Sequence, residues 1–259
     1  MTSDRESVAE TRSRLVGLID PDDVRTFEVS RPPAALVERY LRLADLTPTL
    51  SDALDELGIG GAVAGHILAP IGPDQGRVCG PAVTIRYALA GGTPGDHRAR
   101  GERARLADRD LYQIGRRGDV AVFDCGGFTG ASVLGGLSAS WARRVGIAAC
   151  VVDGSVRDVA HVRRLGQPVW SRGRTPVTGR HRLEAVEING AVELAGVQVR
   201  PGDLVAGDET GVCVIPATHA AEVLELAERA DAGESRVEQM VLDGEPLEAL
   251  AAVRPLETW

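Results

Sequence analysis

The sequence predicts an α/β fold, and residues 119–158, DVAVFDCGGFTGASVLGGLSASWARRVGIAACVVDGSVRD, carry most of that prediction. Val120 to Phe123 and Ile147 to Val152 are short apolar runs with β-branched residues, the pattern of strands covered on both faces. Between them Ser132 to Arg144 has helical spacing. Val133, Leu134, Leu137 and Trp141 share one side, and Arg143 and Arg144 lie near the C-terminus, where cations suit the helix dipole. Such a strand-helix-strand unit presents ligand sites beyond the carboxyl ends of its strands. Gly126-Gly127 and the pair Arg157-Asp158 both fall at that edge. With no internal repeat and no low-complexity linker, one compact α/β domain with helical appendages follows.

The remaining elements follow in chain order. Residues 1–30 are polar and charged, and are expected as a loosely ordered N-terminal extension ahead of a single domain over 31–259. Pro32-Pro33 start a helix through Ala34 to Ala44, because proline is tolerated in a first turn. Thr49 and Ser51 open SDALDELG, a short capped helix closed by Gly58. Gly58 to Gly65 matches no dinucleotide fingerprint and reads as a turn into the next strand. Arg77 to Ala90 alternates as one long strand, with Pro81 marking an edge or bulge. A loop and a charged helix then run to Gly115, with Asp96 and His97 placed either to cap that helix or to line a site. Beyond Asp158 come a short helix bearing His161, Arg163 and Arg164, and a strand over Pro168 to Ser171. Ala185 to Val199 has period two and is interrupted by Asn189-Gly190, a hairpin signal. Strands at Leu204 to Ala206 and Val212 to Ile215 follow, then helix from His219 to Leu250 with a break at Asp243-Gly244.

Composition narrows the chemistry. The net charge of -8, without a block of like charges, argues against nucleic acid and membrane surfaces as partners. No apolar run approaches a membrane span and the N-terminus lacks a signal-peptide core, so a cytoplasmic protein is expected. Cys79, Cys125, Cys150 and Cys213 lie far apart in strand-like runs without zinc spacing, as buried reduced thiols do. The chain contains no lysine: all 29 of its Lys+Arg residues are arginine. Schiff-base catalysis and a lysine-bearing phosphate loop are therefore excluded. Carbon-carbon chemistry beside a carbonyl would need a metal ion to hold the electrons.

Two stretches could carry such chemistry. Gly135-Gly136 interrupts the helical pattern, and a helical glycine costs ~1 kcal/mol relative to alanine. Either the helix begins there, leaving the amides of Gly135, Gly136, Leu137 and Ser138 free for an anion, or helix and sheet pack closely at that point. In DGSVRD, Arg157 is a planar, permanently charged clamp for carboxylates and Asp158 a hard oxygen ligand of the kind magnesium accepts. The bland reading of such a pair is a solvated surface or cap interaction. Asp124, at the end of the other strand, either faces the same edge or caps its turn.

GGLSASWARRVGIAACVVDGSVRDVAHVRRLGQPVWSRGRTP, with GRVCGPAVTIR before it and PGDLVAGDETGVCVIP after it, resembles the RraA-like family over roughly residues 45 to 250. That family includes the class II 4-hydroxy-4-methyl-2-oxoglutarate and 4-carboxy-4-hydroxy-2-oxoadipate aldolases and the regulator of ribonuclease E activity. The resemblance implies a swivelling-type β/β/α sandwich with helical N- and C-terminal appendages, assembled as a homotrimer or homohexamer with active sites at subunit contacts. It implies a divalent cation, Mg2+ or else Mn2+, on Asp158, and a pyruvate-like 2-oxo acid held by Arg157 and the amides of Gly135, Gly136, Leu137 and Ser138. The implied activity is metal-dependent retro-aldol cleavage, oxaloacetate decarboxylation, or both, through a pyruvate enolate. The alternative is a non-catalytic regulatory binding protein. Several of the aldolases carry an acidic residue where this chain has Gly136, so Asp124 or a carboxylate of another subunit would replace it. A C-terminal glutamate that reaches the neighbouring site is matched by Glu234, with Glu228 the alternative.

Overall fold

A computed structural model describes residues 8–72 and 75–253. The first part of the chain forms α1 (Val8–Ser13), α2 (Ala34–Tyr40), α3 (Leu46–Glu56), β1 (Ala62–Ala64), β2 (Ala69–Pro70), β3 (Val78–Leu89), α4 (Pro94–Ala99) and α5 (Asp108–Ile114). The central unit is β4 (Val120–Asp124), β5 (Ser132–Leu134), α6 (Gly136–Val145), β6 (Ala149–Val156), α7 (Val159–Leu165) and β7 (Val169–Arg174). Then come β8 (Leu183–Ile188), β9 (Val192–Leu194), β10 (Val197–Val199), β11 (Leu204–Gly207), β12 (Gly211–Ile215), α8 (Ala220–Leu242) and α9 (Leu247–Val253).

The long strand β3 joins two sheet blocks. Its start pairs antiparallel with β11, where Pro81 faces Leu204, and from Ala82 to Arg86 it pairs parallel with β4. Pro81 stands at the changeover, where a residue with no N–H to give costs least. The hydrogen-bonded order is β1-β12-β11-β3-β4-β6-β7-β2, with β8 on the far end of β3 and β5 on the end of β6. Ala121 and Phe123 on β4 pack with Leu111, Tyr112, Ala139 and Ala142 of α5 and α6. Val120 and Val122 point the other way, toward Trp170 and toward Val205, Val212 and Val214 of the antiparallel block. Both faces are therefore buried, which is why these strands are unbroken apolar runs. The outer face of the antiparallel block carries Leu46, Leu50 and Leu54 of α3 and Val223, Leu224 and Ala227 of α8. The expected β/β/α order is present, and the terminal helices add a further layer. All four cysteines are free and buried, with burial pushing Cys79, Cys150 and Cys213 up to about 12. Among the described residues no helix is long and apolar enough to cross a membrane.

Several expectations need correction. The reading of residues 1–30 as a loose lead-in meets a segment that is tied down from Val16 onward; residues 1–7 lie outside the described residues. The fully buried carboxylate of Asp110 accepts the backbone amides of Val16, Leu18 and Ile19. Ile19, Val24 and Val29 enter the core, and Arg31 makes a two-point ion pair with buried Asp119 (2.8 and 2.6 Å). Sparse apolar residues hid this, because the anchors are charged side chains more than eighty positions downstream. Helix α3 starts at Leu46, earlier than its Thr/Ser caps suggested, with Pro48 inside the first turn. Asn189-Gly190 is not a hairpin. The Asn189 side chain bonds the backbone of Thr84 and Thr26, and the hairpin is β9-β10, turned at Ala195-Gly196, both at positive φ. The charged segment before Gly115 is two helices, α4 and α5.

Asp110→Ala would leave three amides without their charged acceptor. We expect a loss of about 3 kcal/mol or more in urea unfolding at unchanged slope, with faster amide exchange at Leu18 and Ile19.

Candidate active site

Parallel pairing of β5 with the end of β6 builds the site. Ser132 lies beside Ser155 and Leu134 beside Val156, so the residues that follow, Gly135-Gly136 and Arg157-Asp158, emerge side by side at the carboxyl edge. The Arg157 amide donates to the Leu134 carbonyl (3.0 Å). Of the two readings open for the glycine pair, the helix start holds: residues 132–134 are strand, Gly135 is the N-cap and α6 begins at Gly136. Its first amides have no acceptor within the helix.

Asp158 is the N-cap of α7 in the left-handed conformation (φ 55°), and its carbonyl accepts from His161 and Val162. That geometry turns its carboxylate back onto α6, where Oδ2 accepts the Gly136 amide at 2.9 Å. A Cβ on Gly135 would sit 2.8 Å from Asp158 Oδ2 and 3.1 Å from Arg157 Nε, so a side chain there would push both groups out of this arrangement. Arg157 Nε stands 3.7 Å from the same oxygen, and the two side chains remain 37% and 48% exposed. They are therefore available to a ligand rather than closed on each other. A Cβ at Gly136 would meet the His161 ring at 3.0 Å, so a side chain there would require the imidazole to shift. His161 Nε2 in turn lies 3.3 Å from Ser140 Oγ.

Gly135, Gly136, Arg157 and Asp158 line a cleft of about 120 Å³, bounded by the first turn of α5 and by Thr178 and Arg180 after β7. Arg109, Arg157 and Arg180 make its rim cationic, and Leu137, 81% exposed, stands at the helix start. The cleft also contains a carboxylate that sequence reasoning missed. Asp108 is only 3% exposed, its carboxylate accepts a hydrogen bond from Ser138, and its nearest guanidinium, Arg109, is 4.0 Å away. Burial raises its pKa, against the smaller opposing pull of Ser138 and Arg109. Tyr112 bonds the Ser138 hydroxyl from behind (3.1 Å). In the sequence Asp108 is one charge among many in RARLADRD, and only the break between α4 and α5 marks it.

The structure thus brings together Gly135, Gly136, Leu137, Ser138, Arg157 and Asp158, and leaves out the two other expected residues. Asp124 does not line this cleft. Its oxygens accept the amides of Gly126 (2.8 Å) and Glu193 (3.2 Å), a turn-capping role, in a second cleft shared with Asp153 and Arg172. Glu234 is exposed on α8, which packs on α2 and α3, and it does not line the cleft of its own chain. Its alternative, Glu228, is held by Arg39. Asp96 completes a capping box with Thr93, while His97 bonds the Gly91 carbonyl and stacks on His181.

The RraA-like family model, described as Aldolase/RraA, matches residues 47–214, a span that includes both the glycine pair and Arg157-Asp158. The chain belongs to the RraA-like family. A Halalkalibacterium halodurans protein provisionally named 4-hydroxy-4-methyl-2-oxoglutarate aldolase is 32% identical over 199 residues, 76% of this chain and 85% of that one. A Deinococcus radiodurans protein of the same provisional name is 32% identical over 68% of this chain and 98% of its own. Among solved structures, Streptomyces coelicolor RraAS2, described as an unusual member of the RNase ES inhibitor RraA family, superposes with a TM-score of 0.68. It is 28% identical, with 82% of this chain and 99% of that one covered. An uncharacterized Pseudomonas syringae protein gives 0.71 at 27% identity, covering 85% and 98%.

A buried carboxyl group with a raised pKa stabilises the fold fully only below its unfolded value; as pH climbs toward its folded value, the folded state holds the proton longer and stability falls. Asp108→Asn should therefore gain stability relative to the wild type as pH rises above the ordinary carboxyl value of about 4, read as a urea midpoint difference that widens with pH.

Proposed function

We propose that this protein is a metal-dependent carbon-carbon lyase of 2-oxo acids, cleaving 4-hydroxy-4-methyl-2-oxoglutarate-type substrates by retro-aldol reaction and decarboxylating oxaloacetate. The observation that carries the reading is the contact of Asp158 with the Gly136 amide, which sets one half-exposed carboxylate, one half-exposed guanidinium and a helix start around a single cleft.

The donor set bears on which metal would fit. Among the described residues no group of three or more His, Cys, Asp or Glu side chains is arranged to hold an ion, so a closed zinc-type site is not built. A lone half-exposed carboxylate suits Mg2+, or Mn2+, which takes one or two carboxylates and fills its remaining positions with water and substrate. Asp158 would hold the ion. When bound, the cation supplies positive charge beside the substrate's keto oxygen.

The chain's own residues do the rest. Arg157 and the amides of Leu137 and Ser138 bind the 2-oxo carboxylate, the Gly136 amide being engaged in orienting Asp158. The Arg157 guanidinium keeps a permanent positive charge next to the carbon chain, which favours the enolate left by bond cleavage over the neutral substrate. Without lysine, no amine can take that role. The relatives' provisional aldolase names support the same reaction class. In this reading the working particle is a cytoplasmic homotrimer or homohexamer, and Glu234 acts in a neighbouring copy's cleft.

A second reading, a non-catalytic regulator, is favoured by the likeness to RraAS2 and by the absence of an acid at Gly136, against which the His161 ring stands. Retention of both Arg157 and Asp158 weighs against it.

The test is pyruvate release from oxaloacetate and from 4-hydroxy-4-methyl-2-oxoglutarate, with and without EDTA. We expect turnover that EDTA removes and magnesium restores, abolition by Asp158→Ala, and a loss of about 2–4 kcal/mol in kcat/KM for Arg157→Met. Absence of turnover together with capture of a ribonuclease would establish the regulator reading instead.

A further inference from the structure

Retro-aldol cleavage needs a group that removes the proton from the C4 hydroxyl and one that delivers a proton to C3. Within one chain neither Asp124 nor Glu234 lines the cleft, and Arg157, always protonated, cannot accept a proton. Resting on the reading of the cleft as a 2-oxo acid site, we propose that Asp108 is the proton-transferring residue of this chain, serving first as base and then as acid.

The placement is specific. Asp108 opens α5 on the wall of the cleft that also bears the Gly135 to Ser138 segment and Asp158. A substrate whose carboxylate rests on the α6 amides would have its carbon chain run toward this wall. Ser138 ties the two walls together, since its hydroxyl bonds Asp108 on one side and Tyr112 on the other. The carboxylate is thereby held in one orientation.

The charged and titratable groups around Asp108 include Arg109 on its own helix, Arg157, Asp158 and Arg180 on the other walls of the cleft, and Tyr87, Tyr112 and Cys150 from the core. The tyrosines are themselves pushed far up by burial and stay neutral. The Tyr87 hydroxyl, which interacts electrostatically with Asp108, is buried and has no hydrogen-bond partner among the described residues, so it does not compete for the carboxylate. Among the described residues the guanidinium paired with it, Arg109, is at the 4.0 Å limit of an ion pair and leaves desolvation as the larger influence. A carboxylate so placed is a stronger base than one in water, and its acid form survives to higher pH, as both halves of the cycle require.

The step balances. The Asp108 carboxylate takes the C4 hydroxyl proton as the C3–C4 bond breaks. The C4 fragment leaves as a carbonyl compound, and the bonding electron pair enters the C2–C3 bond, with negative charge on the C2 oxygen. The carboxylic acid of Asp108 then gives its proton to C3, producing pyruvate and restoring the carboxylate. No oxidant, reductant or third reactant is consumed.

The test uses oxalate, a planar dianion resembling the enolate, in magnesium buffer. Calorimetry in buffers of different ionisation enthalpy, across pH 5 to 8, reads protons taken up on binding. A dianion beside Asp108 stabilises its protonated form, so wild-type protein should take up protons and Asp108→Asn should not. In steady state Asp108→Asn should cleave the aldol substrate about 100-fold or more slowly and lose the acid limb of the wild-type pH profile. Equal proton uptake by both proteins, absence of uptake by the wild type at every pH, or cleavage by Asp108→Asn within threefold of wild type would each overturn the assignment. Should Asp108→Asn fail to fold, the wild-type uptake alone decides. If oxalate does not bind the wild type at all, the 2-oxo acid reading of the cleft fails, and this inference with it.

Discussion

The hydrogen bond from the Gly136 amide to Asp158 Oδ2 holds the site together. It joins the N-terminus of one helix to the N-cap of the next, and it forms because three local conditions coincide. Strands β5 and β6 run parallel and end together. Gly135 has no Cβ to collide with the incoming carboxylate. Asp158 adopts a left-handed backbone that throws its side chain backward over the α6 start. Asp is among the residues that tolerate this conformation at modest cost, and the contact it gains is charge-assisted and lies on the positive end of a helix. The same interaction leaves Arg157 beside the cleft without enclosing it.

This edge is stiff because of what lies beneath it. The parallel block is covered on one face by α5, α6 and α7 and on the other by the antiparallel block, so β4 and β6 have no solvent side. Strand β3 belongs to both blocks and changes partner at Pro81, which binds them into one body. The N-terminal segment adds a clamp of its own. Asp110 takes three backbone amides from the 16–19 turn, and Arg31 locks onto Asp119 at the foot of β4. Asp110 is two residues beyond Asp108, so the clamp also fixes the wall that carries the cleft's second carboxylate.

Much of this was legible in the residues. Period-two and continuous apolar patterns located the strands, since burial on one or both faces is written directly into residue type. The Gly135-Gly136 and Arg157-Asp158 elements stood out because paired glycines are costly within a helix and the Arg-Asp pair follows a strand, although each left a structural reading open beside the functional one. What escaped was long-range and polar. The anchoring of residues 16–31 depends on charged partners far along the chain, and no local pattern encodes such pairings. Asn189-Gly190 carries a turn signal, yet the Asn189 side chain is spent on Thr84 and Thr26, and the hairpin forms six residues later. Asp124 stood at the right strand end but turned its oxygens to the amides of Gly126 and Glu193. Asp108 looked like any surface acid, because its burial is imposed by the packing of α5 on α6 and not by its neighbours in sequence.

The account rests on one carboxylate being presented, half-exposed, beside a guanidinium and a helix start. The most direct measurement is a crystal structure of the protein soaked with magnesium and oxalate. The account predicts a cation on Asp158, with oxalate between it, Arg157 and the amides of Leu137 and Ser138. Oxalate bound elsewhere, for example beside Arg172 in the Asp124 cleft, with no ion on Asp158, would contradict it.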